Sequence, residues 1–129
     1  RSMAFPRRTL AISGSKSRNK GAAWERECAK LLTQMTGVEC KRRLEQYRSG
    51  GADIDTTLPI SVECKTGYQI GSNTIRAALQ QAREGAENLE LPFVWVKQNV
   101  KGKSPERYVV MDEETFLPML LAHLENVIP

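Results

Sequence analysis

The chain has 129 residues, 40% of them hydrophobic and 26% charged, with a net charge of +4. That suffices for one globular core, and no apolar run is long enough for a bilayer span or a secretory signal. Three scattered cysteines without a CxxC pair, and His123 as the only histidine, argue against a zinc cage or a disulfide framework and read as core thiols of a cytoplasmic protein.

The charge is unevenly spread. Residues 1–20 hold Arg1, Arg7, Arg8, Lys16, Arg18 and Lys20 and no acid, whereas the remainder is slightly acidic. Residues 1–19 are therefore expected to be a basic N-terminal arm suited to a polyanion, and residues 20–129 a single domain. From about Lys20 to Met35 the apolar residues Trp24, Cys28, Leu31, Leu32 and Met35 recur at helical spacing, and Gly37 stops the helix. Val38 to Arg43 reads as a strand, followed by a polar loop from Glu45 to Gly51. Two short strands then flank Asp53 and Glu63. A second helix is expected from about Asn73, as N-cap, to Leu89, with Ile75, Leu79, Ala82, Ala86 and Leu89 as its stripe. Phe93–Val96 reads as a strand buried on both faces. A basic loop with Lys101 and Lys103 leads to a strand over Arg107–Met111. Asp112 then caps a closing helix carrying Leu117, Leu120, Leu121 and Leu124, which Pro118 is expected to bend or shorten. This order predicts an α/β fold, a mixed central sheet flanked by helices.

The chemistry concentrates in Glu63-Cys64-Lys65 and Asp53. With a period of two, Ile60, Val62 and Cys64 face a core, and Ser61, Glu63 and Lys65 share the other face. Asp53 comes just after Gly50-Gly51, and on a neighbouring strand it would bring a second carboxylate to the same spot. Asp55 lies on the same strand face, so spacing alone leaves it open as the partner. On the first helix Glu25 falls roughly 20° beyond Leu32 and Glu27 roughly 40° from Leu31, at opposite borders of the apolar stripe. Carboxylates of this kind are hard oxygen ligands for Mg²⁺ or Mn²⁺. A lysine beside them can orient a water, act as base or stabilise developing charge.

At these residues the chain resembles the PD-(D/E)XK nuclease superfamily, and within it the small Holliday-junction-resolvase-like enzymes of archaea and phages. The resemblance runs over roughly residues 18–117, from Lys20-Gly21-Ala22-Ala23-Trp24-Glu25-Arg26-Glu27 through Gly51-Ala52-Asp53-Ile54 to Glu63-Cys64-Lys65. Ala52 stands where the superfamily's name has proline. The resemblance implies a restriction-endonuclease-like fold. It favours Glu25 over Glu27 and Asp53 over Asp55, and makes Glu25, Asp53, Glu63, Lys65 and Gln81 the catalytic set. It also implies that Asp53, Glu63, Glu25 and the backbone carbonyl of Cys64 hold the metal. Of Gln80 and Gln81, Gln81 lies nearer the apolar stripe.

Lys20, Arg42, Arg43 and Arg48 are candidate phosphate contacts. The expected function is that of an Mg²⁺- or Mn²⁺-dependent DNA endonuclease, selective for branched DNA and homodimeric by resemblance. The alternatives are a duplex-nicking or end-processing nuclease of the same superfamily, a non-catalytic DNA-binding module, and an interaction protein with a chance E-x-K.

Overall fold

The computed structural model describes the backbone of residues 4–44 and 52–129 and the side chains of residues 19–44 and 52–129. The elements follow the expected order: α1 (Ala4–Thr36), β1 (Cys40–Arg42), β2 (Ile54–Thr56), β3 (Ile60–Gly67), α2 (Ser72–Gly85), β4 (Leu91–Val100), β5 (Lys103–Val110) and α3 (Glu113–Val127). Tyr47 and Arg48 lie outside the described residues.

The helix α1 begins at Ala4, well before the start expected from apolar periodicity, and runs through the boundary drawn between arm and domain. Periodicity marks where a helix packs, and a helix can extend beyond its packed stretch. The packed stretch is the expected one: Trp24, Cys28 and Leu32 are buried, joined by Ala29. Met35, one turn further and also expected on the stripe, is exposed. Gly37 ends it with φ 76° and donates its N–H to the Thr33 carbonyl, a left-handed residue that costs glycine no Cβ clash. The Thr33 hydroxyl then ties this end to β1, accepting from the Cys40 N–H at 3.0 Å.

β3 and β4 are parallel and β4 and β5 antiparallel, giving the order β3-β4-β5. β1 and β2 form a separate antiparallel ribbon. A parallel pair needs a crossover, and α2 supplies it. Val62 and Cys64 of β3, with Trp95 and Phe93 of β4, pack on Trp24, Cys28 and Leu32 of α1. On the other face Val94 and Val96 pack on Ala78, with Ile70, Leu79 and Val110 around them. The long apolar run of β4 is thus covered on both faces, as its composition indicated.

Three local features go beyond or against the expectations. First, the polar face of β3 is closed to solvent: Ser61 and Glu63 are as buried as the apolar face, at 1% and 3% exposure. The Ser61 hydroxyl donates to the Ala82 carbonyl at 2.7 Å, satisfying one of the last carbonyls of α2. Second, α2 is capped by Gly71, without a side-chain cap, and Asn73 lies inside the first turn with its Oδ1 near Arg76 Nη1. Third, α2 ends at Gly85, and Leu89, expected on its stripe, is fully exposed in a turn with φ 68°. The buried stripe is Ala78 and Ala82, small residues that let the helix approach β3 and β4 closely.

Candidate nuclease site

The two sheets meet at Asp53. Its backbone N–H donates to the Val62 carbonyl at 2.9 Å, and its own carbonyl accepts from Arg43 N–H at 2.8 Å, so this residue joins β3 to the ribbon. One step further along β3 the pattern changes. The Cys64 N–H donates to Asp53 Oδ2 at 2.7 Å, so a side-chain oxygen replaces the backbone acceptor that a continued ladder would provide. The strands diverge there. In a strand the N–H and C=O of one residue point the same way. The Cys64 carbonyl therefore faces the Asp53 side of β3, away from β4. The parting of the sheets thus puts one carboxylate and one backbone carbonyl at the same edge.

Glu63 follows on β3, and its Oε2 is buried without a hydrogen-bond partner among the described residues. Burial, and then the negative charge of Asp53, push its carboxyl up to about 8, against the pull of Lys65. Burial also raises Asp53, although the Cys64 N–H, Lys65, Arg42 and Arg43 all oppose it. Glu25 is raised by burial, with Asp53 adding to the shift and the bond from Arg42 opposing it. Asp53 raises both glutamates, Glu25 raises Glu63, and Lys65 opposes the shift of all three, so acidic groups are crowded in a poorly solvated place.

The structure separates the alternatives that spacing left open. Asp55 is exposed on β2 and faces Arg43 at 3.9 Å, whereas Asp53 turns inward. Glu27 belongs to another cluster: it accepts from Lys97 at 3.1 Å and pairs with Arg107, and both cations lie over the Trp24 ring. Burial alone would raise Glu27, but Lys97 and Arg107 outweigh it and its pKa is lowered. Glu25 is the helix carboxylate within the electrostatic reach of Asp53 and Glu63.

The remaining candidates are dispersed. Gln81 is exposed on α2, as is Gln80, which donates to Glu84, and no described hydrogen bond joins Gln81 to the carboxylates. Lys20 is exposed with its ammonium 5.5 Å from the centre of the Tyr68 ring. It borders a cavity of about 230 Å³ that also includes Trp24, Thr66 and Lys97. Arg42, read from sequence as a phosphate contact, donates from Nε to Glu25 Oε1 at 2.6 Å. Arg43 has a buried Nε without a described partner. The pairing of Arg42 with Glu25 spans α1 and β1, and no local sequence signal encodes it. The same holds for Ser61 against Ala82.

The donor set suits a divalent ion. Hard oxygens, mutual repulsion and an unpartnered buried carboxylate oxygen all fit one. Among the described residues no three His, Cys, Asp or Glu side chains already form a metal cage. The reason is visible: Glu25 leans to Arg42 and Asp53 Oδ2 to the Cys64 N–H. The Cys28 and Cys64 thiols are in contact, and that contact and burial push the Cys64 thiol up, so it is neutral core filling.

A βαβ-containing mixed sheet with an acid, an acid-x-lysine strand and a flanking helix carboxylate defines an α/β protein of the restriction-endonuclease-like class. Comparison with protein families agrees: the model described as "Phage putative PDDEXK endonuclease" matches residues 16–126. The chain belongs to this family of PD-(D/E)XK nucleases. Searches of curated proteins and of solved structures gave no match. Among the described residues no helix is long and apolar enough to cross a membrane.

Proposed function

We propose that this nuclease is an Mg²⁺- or Mn²⁺-dependent endodeoxyribonuclease that cuts branched DNA such as four-way junctions. The single observation that supports the chemistry is the convergence of Asp53, Glu63 and Lys65, with Glu25 behind them, where β3 parts from the ribbon. Branched DNA as substrate rests on the likeness to Holliday-junction-resolvase-like enzymes. A junction presents two symmetric strands, so this reading carries with it two copies acting together.

In this proposal Asp53 Oδ1, Glu63 and the Cys64 carbonyl hold the ion, and Glu25 joins them when it leaves Arg42. When bound, the ion supplies Lewis acidity toward the scissile phosphate and makes a bound water more acidic. The Cys64 N–H holds Asp53 Oδ2 and restrains the rotation of its carboxylate, which leaves Oδ1 for the ion. Glu63 must give up its proton before it can ligate, since its carboxyl stands at about 8. Lys65 donates from Nζ to the oxygen that gains charge as the phosphodiester opens. Gln81, exposed on α2, is a positioning residue for the departing strand. Lys20, Arg43 and Arg48 contact phosphates on either side, together with the basic segment of residues 1–19.

The test is cleavage of a synthetic four-way junction, a flap, a duplex and a single strand in Mg²⁺ or Mn²⁺. Junction cutting by the native chain, lost in Asp53→Asn, Glu63→Gln and Lys65→Ala while DNA binding persists, is the expected result. Full metal-dependent activity in Asp53→Asn removes the assignment. Equal cutting of plain duplex moves the substrate to the nicking or end-processing class.

A further inference from the structure

The closing helix α3 poses a packing problem that the nuclease reading does not touch. It is 15 residues long, and none of them is buried. Phe116, Leu117, Met119, Leu121, Leu124 and Val127 are large apolar side chains open to solvent, Leu121 and Val127 at 59% each. An isolated helix of this length is marginal in water even with good formers, and Pro118 weakens this one further. A helix apolar around most of its circumference is normally buried. Among the described residues only its root is secured: the Asp112 carboxylate accepts from the Thr115 N–H and pairs with Arg83 at 3.5 Å.

Next to the root, the exposed end of β5 continues the apolar surface. Val109, Val110 and Met111, with Glu113, Phe116 and Leu117, line a groove of about 540 Å³. β5 forms one edge of its sheet and is exposed along nearly its whole length. Pro105 within it lacks an N–H, which disfavours simple strand addition and leaves side-chain packing as the mode of contact.

We propose that α3 and the β5 groove form the contact between two copies of this chain, α3 of each copy lying against α3 and the groove of the other. Three arguments select this occupant. The same molecule carries both an uncovered apolar helix and an apolar groove, and a two-fold pair covers both at once. Of the thirteen exposed large apolar side chains among the described residues, nine fall between Tyr108 and Ile128, a concentration that marks an interaction surface. Finally, residues 112–129 contain Asp112, Glu113, Glu114 and Glu125 and no lysine or arginine. That charge is unsuited to nucleic acid or to an anionic membrane surface.

The inference rests on α3 and β5 and is independent of the acidic site. It is tested by sedimentation equilibrium of the full chain from about 1 to about 200 µM, a range that includes ordinary dimer affinities. The native chain is expected at twice its 14.5 kDa mass. Leu121→Asp is expected at the single-chain mass, with the dissociation constant raised at least tenfold. Hydrogen exchange serves as the second readout: α3 amides are protected in the native chain and lose protection in Leu121→Asp, while β3 and β4 amides stay protected in both. A native chain that is monomeric across the range overturns the proposal, and α3 is then free for another protein or a further segment. A dimer that survives Leu121→Asp with α3 still exchanging rapidly overturns it too, by placing the contact elsewhere. Asp53→Asn leaves the dimer intact if the inference holds, whatever it does to cleavage.

Discussion

Glu63→Gln should make the metal-free protein more stable and inactive at once. The Glu63 carboxyl stands at about 8 in the fold against an ordinary 4.5, chiefly because it is buried and Asp53 is beside it. The folded state therefore holds the proton more tightly than the unfolded chain. Below pH 4.5 both states are protonated and the side chain costs nothing through ionisation. As the pH rises toward 8 the unfolded chain ionises and the folded one does not, so stability falls across that window. At about 1.36 kcal/mol per pKa unit, the loss at pH 7 is about 3 kcal/mol relative to a side chain that never ionises. A glutamine avoids that loss but brings an amide whose N–H groups lack assured partners, at about 1 kcal/mol. The net gain is about 2 kcal/mol, or roughly 6–10 °C in Tm for a domain of this size. Thermal unfolding in EDTA at pH 8 and pH 4.5 measures it. The variant should melt higher at pH 8 and lose most of that advantage at pH 4.5. A variant less stable than the native protein at pH 8, or a difference that ignores pH, refutes the account of Glu63 as a strained, unpartnered carboxyl.

The same proton governs metal uptake. Mn²⁺ affinity should rise by up to about tenfold per pH unit below pH 8 and then level off, with proton release that calorimetry in two buffers of different ionisation enthalpy detects. Arg42→Ala should destabilise the metal-free protein by about 1–2 kcal/mol at neutral pH, because Glu25 loses a half-buried charged hydrogen bond, and Mn²⁺ should recover part of that loss. Denaturant titration with and without the ion reads both. Ser61→Ala should cost about 1–2 kcal/mol by leaving the Ala82 carbonyl without its donor at the end of α2, with cleavage reduced only as far as the fold is. Unfolding midpoints and specific activity together separate those effects.

Much of this protein is local in origin. The order of the elements, the stop at Gly37, the Asp112 cap and the double-sided burial of β4 follow from period, glycine and composition, which act over a few residues. The E-x-K strand and its Asp53 neighbour were legible for the same reason. The sequence order placed them on adjacent segments, and the family resemblance chose Asp53 and Glu25 from near-equivalent acids. Residues 45–51, with Tyr47 and Arg48, lie outside the described residues.

Tertiary structure decided what depends on contacts between distant segments. Periodicity put Ser61, Glu63 and Lys65 on one face of β3 without saying what lies against it; α2 covers that face, because its small Ala78 and Ala82 allow close approach. Helical angles left Glu25 and Glu27 nearly equal, and only the positions of Arg42, Lys97 and Arg107 divided them between two clusters. The apolar stripe of α3 was read correctly as a stripe but not as an uncovered one. An amphipathic pattern records that a surface must be buried, and the identity of what buries it is decided only beyond the local sequence.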